Sequence, residues 1–120
     1  MSFATSFLAL ASSDMKATRS AKFLTEMEQI IPWEEYLNIL KPYTKPAHTG
    51  RPRKDTIILL KMYFLQQWYG LSDEATEDAV YDRLSFQKFI DINLSTDTVP
   101  DSTTLEDFRH LLETHKRTQL

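Results

Sequence analysis

The residues with the clearest chemical potential form a short basic stretch in the middle of the sequence, Gly50-Arg51-Pro52-Arg53-Lys54. Pro52, between the two arginines, favours an extended, stiffened backbone next to Gly50, from which the two guanidinium groups would project. Such arginines can lie along the narrow, strongly negative minor groove of A·T-rich DNA, or they can pair with backbone phosphates. The same composition also occurs in solvated linkers. Three interpretations therefore stay open: minor-groove contact, phosphate contact and a plain linker.

A second group of polar residues lies at the start of the last predicted helix. The order short helix, turn, polar-capped helix across residues 72–115 is that of a helix-turn-helix, whose second helix directs its first residues at base edges and phosphates. An ordinary bundle explains the same residues, because Thr103–Glu106 matches a capping box and Arg109 can pair with Glu113 one turn later. The long loop that begins at Asn93 also departs from a tight turn. The candidate contacts on this helix are Ser102, Thr103, Thr104, Glu106, Arg109 and His110.

Other site chemistry has little support in the sequence. There is no cysteine, so a thiolate nucleophile and a thiolate metal site are excluded. None of the three histidines lies four residues from another, and His110 with Glu113 fits a solvated surface pair. No phosphate-binding loop and no nucleophile elbow occurs. We expect neither a catalytic residue nor a metal site in this chain.

The candidate DNA-contacting residues need a folded core to hold them in place. The strongly apolar stretch Asp55–Gly70 is the main element of that core. Its polar residues do not gather on one helical face, which is typical of a helix that other elements surround. Lys61 and Gln66 interrupt it, and at roughly 16 residues it is too short to cross a bilayer. Gly70 suits a helix C-terminus. We therefore predict a buried central helix.

The remaining periodicity predicts further helices around this one. A helical period from Ser20 to Ile31 ends at Pro32, which would open a second helix and form an αα-hairpin with the first. Residues 41–54 would form a connector. Ser72 would cap the next helix, whose small-residue face would approach the central helix closely. Three apolar residues mark another short helix: Phe86, Phe89 and Ile90.

Together these elements predict an all-α fold, a compact bundle of about six helices around a buried central helix, with a helix-turn-helix-like C-terminal half. Residues 1–19 would be a flexible arm, and residues 20–120 would form one helical domain. Only two glycines occur among 120 residues, which disfavours hairpins. The net charge is −3, but it is divided unevenly: residues 1–54 carry +3 and residues 55–120 carry −6. This division suggests a basic approach surface on an acidic body.

Several short sequence motifs follow one another in a characteristic order along most of the chain. They are Phe23-Leu24, Met27–Trp33, Gly50-Arg51-Pro52, Gln67–Asp73, Glu77–Asp82, Pro100–Leu105 and Phe108–Glu113. In this order they resemble the N-terminal region of bacterial insertion-sequence transposases of family five, which belong to the DDE-type transposases. The resemblance covers about residues 21–115.

The resemblance implies a helical DNA-binding and assembly region that precedes an RNase-H-like core. In that core Asp, Asp and Glu hold two divalent metal ions, Mg²⁺ in particular, for strand cleavage and transfer. We expect this chain to bind double-stranded DNA at the terminal inverted repeats of the element without being an enzyme or holding a cofactor itself. The expected location is the bacterial cytoplasm, at the nucleoid, since no export signal or membrane segment is evident.

Two further interpretations stay open. The chain could be a protein-interaction domain that forms a homodimer, or, as a variant of the DNA-binding hypothesis, a stand-alone regulator that occupies the inverted repeats without cutting them. Large apolar side chains beyond those needed for the core would form the dimer interface. They are Phe3, Phe7, Trp33, Tyr43 and Trp68.

Overall fold

The computed structural model describes residues 18–43 and 52–119, with side chains in the second range from 55 to 114. Within these ranges the chain forms six α-helices and no strand, which confirms the predicted all-α bundle. The predicted arm falls outside the described residues except for Thr18 and Arg19, the N-cap and first residue of the first helix. The elements are α1 Arg19–Ile30, α2 Trp33–Leu40, a 3-10 helix Lys41–Tyr43, α3 Pro52–Tyr69, α4 Asp73–Asp82, α5 Leu84–Ile90 and α6 Ser102–Gln119.

Helix α3 is buried on two sides, as the sequence predicted. Met62 and Leu65 are fully buried in the larger of two apolar clusters, whereas Leu60 belongs to the smaller one with Leu40 and Phe108. Because α3 contributes side chains to two separate clusters on different sides, it needs apolar residues nearly all round. This explains why it has no polar face. The larger cluster contains Leu24, Ile58, Met62, Leu65, Val80, Phe86, Phe89, Ile90, Ile92, Val99 and Leu105.

Local sequence explains where α3 begins and where it ends. The helix begins at Pro52, three residues before the predicted start at Asp55, because proline fits the first turn, where its missing N–H has no partner to lose. At the other end Gly70 takes a left-handed conformation with φ 63°. The N–H of Leu71 then donates to the carbonyl of Gln66 at 3.0 Å, which closes the last turn. The predicted C-terminal glycine is confirmed.

Helices α1 and α2 attach to different parts of the bundle. Helix α1 packs mainly on α5, and α2 packs on α3, so the two diverge instead of forming the predicted αα-hairpin. Ile31 is extended between them. The indole of Trp33 then packs edge-on against Phe64 of α3 and Phe89 of α5, and its Nε1–H donates to the backbone carbonyl of Glu28. The Trp33 side chain thus connects the end of α1 to α3 and α5.

Helices α4 and α5 meet at a single extended residue, Arg83. The hydroxyl of Ser72 accepts the N–H of Ala75 at 3.0 Å, which confirms the predicted cap of α4. Val80 is fully buried, as expected, and so is Thr76, whose hydroxyl donates to the Ser72 carbonyl. The three apolar residues predicted for α5 are buried as well: Phe86, Phe89 and Ile90.

Candidate nucleic-acid interface

The basic stretch enters the described structure at the start of α3. Arg51 lies outside the described residues, and positions 52–54 form the first helical turn. The extended backbone predicted for Pro52, Arg53 and Lys54 is therefore wrong, and both ends of the predicted connector are helical. The side chains of Arg53 and Lys54 are outside the described set. The N-terminal end of a helix carries partial positive charge from the helix dipole, which is compatible with phosphate contact.

The start of α6 is capped by a residue that the sequence analysis did not single out. Asp101 Oδ1 accepts the N–H of Thr104 at 2.8 Å, and this bond holds the pKa of Asp101 below its usual value. The capping box predicted to open at Thr103 is therefore wrong by two residues. The N–H of Ser102 donates to Glu77 Oε1 at 2.7 Å, so α4 fixes the entry of the chain into α6. The residues Thr103 and Thr104 are exposed.

Arg109 is partly exposed and has two carboxylates beside its guanidinium. Its Nε and Nη2 lie 3.2 and 3.0 Å from the two carboxylate oxygens of Asp73 on α4, in a forked arrangement. The predicted partner, Glu113, is also present, with Nη1 to Oε2 at 3.6 Å. The bond from Arg109 lowers the pKa of Asp73, and the pair raises the pKa of Arg109. Because its guanidinium already has partners within the protein, DNA contact by Arg109 stays a prediction that this geometry does not favour.

His110 lies on a different side of α6 from Arg109. It is exposed, and its charge when protonated contributes to the lowered pKa of Asp73. Thr103 precedes it by seven residues, about two helical turns, so the two share one side of the helix. The structure thus brings Thr103 and His110 onto one exposed face and directs Arg109 towards α4.

Two buried polar residues of α3, Gln66 and Lys61, form hydrogen bonds with carboxylates of other helices. The sequence analysis did not predict these bonds. The Gln66 amide donates through Nε2 to Asp73 Oδ1 at 2.6 Å, so Asp73 receives hydrogen bonds from both α3 and α6. On the other side, Lys61 Nζ lies 2.7 Å from Glu28 Oε2 and 2.9 Å from the carbonyl of Phe89. A signal was present, because a polar residue inside an otherwise apolar helix has to find a partner when buried.

Metal and membrane chemistry find no support among residues 18–43 and 52–119. No group of three or more His, Cys, Asp or Glu residues in this part of the chain could hold a metal ion. Nor is any helix in it long and apolar enough to cross a membrane.

These observations define an all-α domain whose last helix begins with exposed hydroxyl groups and whose central helix begins with a basic turn. The family model for the transposase domain (DUF772) matches residues 12–111, which is most of the chain. The protein therefore belongs to this transposase-domain family. No solved structure matches the chain.

Proposed function

We propose that this chain is the DNA-binding domain of an insertion-sequence transposase of family five, and that it binds the terminal inverted repeats of the element. The observation that carries the proposal is the family match over residues 12–111, which includes all of α1 to α5 and most of α6. Membership in a transposase family supports a role in transposition. Recognition of the element's ends is the part of that role that a small helical domain can perform.

The basic residues around the start of α3 are the main contacts in this proposal. Residues 55–120 carry a net charge of −6, so their surface as a whole repels phosphate. Arg51, Arg53 and Lys54 supply positive charge at the N-terminal end of α3, where the helix dipole also favours an anion. They would bind phosphates or enter the minor groove.

The exposed face of α6 supplies the second set of contacts. The hydroxyls of Thr103 and Thr104 would donate to phosphates, and His110, two turns after Thr103, would reach base edges. Helix α5 and residues 91–101 lie between α4 and α6, so these helices would act as a variant of the helix-turn-helix with a long connection. Ser102 stays a candidate through its side chain, since its N–H is bound to Glu77.

In this proposal the chemistry of strand transfer belongs to a DDE core with its Mg²⁺ ions, and this chain binds and orients DNA without cutting it. The site of action would be the nucleoid in the bacterial cytoplasm. A chain that binds the repeats without a core in the same polypeptide would act as a regulator of transposition.

A fluorescence-anisotropy titration tests the proposal with a duplex of the element's inverted repeat and a shuffled duplex of equal length. We expect tighter binding to the repeat and a steep loss of affinity with salt. The double variant Arg51→Ala/Arg53→Ala should reduce the slope of log K against log salt by about 2, because two phosphate contacts are removed. The matched control removes two exposed positive charges from α1, Arg19→Ala/Lys22→Ala. Equal losses in both variants, or no binding at low salt, would contradict the proposal.

The outer side of α2 favours a second candidate, a protein-interaction domain. Tyr36, Ile39 and Tyr43 are 39%, 48% and 50% exposed, and the first two are three residues apart on one side of the helix. Trp33 and Trp68, predicted for such a surface, instead pack among rings inside the bundle. Phe3 and Phe7 lie outside the described residues.

Sedimentation equilibrium separates the two candidates. A chain that dimerises, loses the dimer in Tyr36→Gln/Ile39→Gln, and ignores the repeat duplex at low salt would support the second candidate. A monomer that binds the duplex would support the first.

A further inference from the structure

Arg83 is the single residue between α4 and α5, and its backbone is fixed on both sides. Its N–H donates to the carbonyl of Ala79 at 2.8 Å, which closes the last turn of α4. Its carbonyl accepts the N–H groups of Phe86 and Gln87 at 3.2 and 3.1 Å, which opens α5. The junction of the two helices therefore sets the point from which the Arg83 side chain leaves the backbone.

The guanidinium of Arg83 lies over two aromatic rings of the bundle. Its Cζ is 5.0 Å from the centroid of the Phe86 ring and 5.9 Å from the centroid of the Tyr69 ring. The two rings also contact each other, with their centroids 5.0 Å apart, and Phe86 is fully buried. A guanidinium that stacks on rings keeps its N–H donors in its own plane, where they can bind a further group. The stacking thus orients the donors before any ligand arrives.

Arg83 differs from the other lysines and arginines between residues 55 and 114. Lys61 and Arg109 are paired with carboxylates. Arg83 and Lys88 are exposed and form no ion pair with the described residues. Lys88 lines the cleft between α1 and α5. Of these two exposed cations, only Arg83 stacks on aromatic rings of the described part of the chain.

The packing of α4 on α6 places Arg83 at the end of this helix pair where α6 begins. Asp73, the first residue of α4, binds Arg109 in the middle of α6. Glu77, one turn later in α4, accepts the N–H of Ser102, the first residue of α6. The two helices therefore run antiparallel. Arg83 follows Glu77 by six residues, so it lies at the same end of the pair as the exposed hydroxyls of α6.

We infer that Arg83 is a further DNA contact of this domain, and that its guanidinium donates to a backbone phosphate of the duplex bound at the start of α6. The inference rests on the proposed function, because it needs a duplex at that end of the bundle. A phosphate suits the site, since its oxygens can accept two parallel N–H bonds from one guanidinium and its charge is attracted to a cation without a counterion. Arg83 would position the domain on the duplex without reading its sequence.

The salt dependence of binding tests this inference, with the inverted-repeat duplex and a shuffled duplex of equal length. Arg83→Gln should reduce the slope of log K against log salt by about 0.9 on both duplexes, because one phosphate contact is lost. Arg83→Lys should keep the slope, since the charge remains, and should bind less tightly because the forked pair of donors is gone. The matched control is Lys88→Gln, which removes one exposed positive charge from α5 and should change the slope by less than about 0.3.

An NMR titration of the unmodified chain checks the same contact without a substitution, and it decides the matter should Arg83→Gln fail to fold. The Nε–H signal of Arg83 should shift saturably as duplex is added, whereas the backbone amide signal of Lys88 should not. An unchanged slope in Arg83→Gln, an unmoved Arg83 signal, or an equal loss of slope in Lys88→Gln would overturn the inference and leave the proposed function standing. Absence of binding by the unmodified chain at low salt would overturn both.

Discussion

The two ion pairs that flank α3 join residues of similar separation in the sequence, yet they are built differently. The side chain of Lys61 is 5% exposed, and its ammonium has one carboxylate partner, Glu28 of α1, besides a backbone carbonyl. The rings of Trp33 and Phe89 lie about 5 Å from it. Arg109, in contrast, is 24% exposed. It binds one carboxylate through two N–H groups and lies beside a second.

Burial and the number of partners should therefore set how much each pair contributes to stability. A buried ammonium with a single carboxylate partner has no replacement when that partner is lost. A half-exposed guanidinium keeps both its second carboxylate and solvent. We therefore expect the Lys61 pair to be the sensitive one for folding and the Arg109 pair to be the tolerant one.

Removal of the carboxylate partner of Lys61 gives the largest expected effect. Glu28→Ala should lower the free energy of unfolding by about 2 kcal/mol, because a buried charge loses its counterion, an effect moderated by the half-exposed position of Glu28. Urea denaturation measures it. Lys61→Met in the same background should restore most of the loss. The control is Glu26→Ala on the exposed side of α1, and an equal loss there would contradict the expectation.

Removal of the main partner of Arg109 should have a smaller effect. Asp73→Asn should cost about 1 kcal/mol, because the forked bond is weakened while Glu113 remains close to the guanidinium. Thermal denaturation measures the loss. A double-mutant cycle with Arg109→Gln isolates the pair from other effects. A loss as large as that of Glu28→Ala would remove the proposed distinction between the pairs.

The same pair predicts a pH dependence with a defined sign. The pKa of Asp73 is lowered from its usual 3.8 in the folded chain, chiefly by the bond from Arg109. The stability gained from this carboxylate is therefore present above the unfolded pKa and is lost as the pH falls through the lower folded pKa. The stability difference between the unmodified chain and Asp73→Asn should be constant above about pH 5 and shrink below about pH 4. Urea denaturation across this range checks it, and a difference that grows on acidification would contradict it.

The smallest effect is expected at Glu113. Its carboxylate lies 3.6 Å from Arg109 and is 40% exposed, so Glu113→Gln should change the free energy of unfolding by less than about 0.5 kcal/mol. Urea denaturation at low and high salt provides the measurement. A loss above 1 kcal/mol would mean that Glu113, and not Asp73, is the main partner.

Local patterns in the sequence were sufficient to predict the helices but not the ion pairs of Lys61 and Arg109. The central helix, its terminal glycine and the Ser72 cap follow from residue type and spacing within a few positions, and all three are confirmed. The bond between Asp73 and Arg109 joins residues 36 positions apart, and no helical period encodes it. Lys61 likewise looks like an interruption of an apolar pattern, because its partner Glu28 lies on another helix.

The candidate interface shows the same limit. Thr103 was expected to cap α6 because threonine and aspartate both suit that position. The choice of Asp101 depends on where the chain enters the helix, which Glu77 of α4 fixes by its bond to Ser102. The exposure of Thr103 and Thr104 agrees with a contact role, whereas the pairing of Arg109 with Asp73 followed only from the packing of α4 on α6.

The position of α3 between two apolar clusters has a consequence for how the protein opens. Leu60 faces one cluster and Met62 the other, so loosening either side exposes part of the same helix. We therefore expect the two clusters of the described bundle to open together. The amides in the middle of α3 should therefore exchange with solvent mainly when the whole domain unfolds, with one common opening free energy.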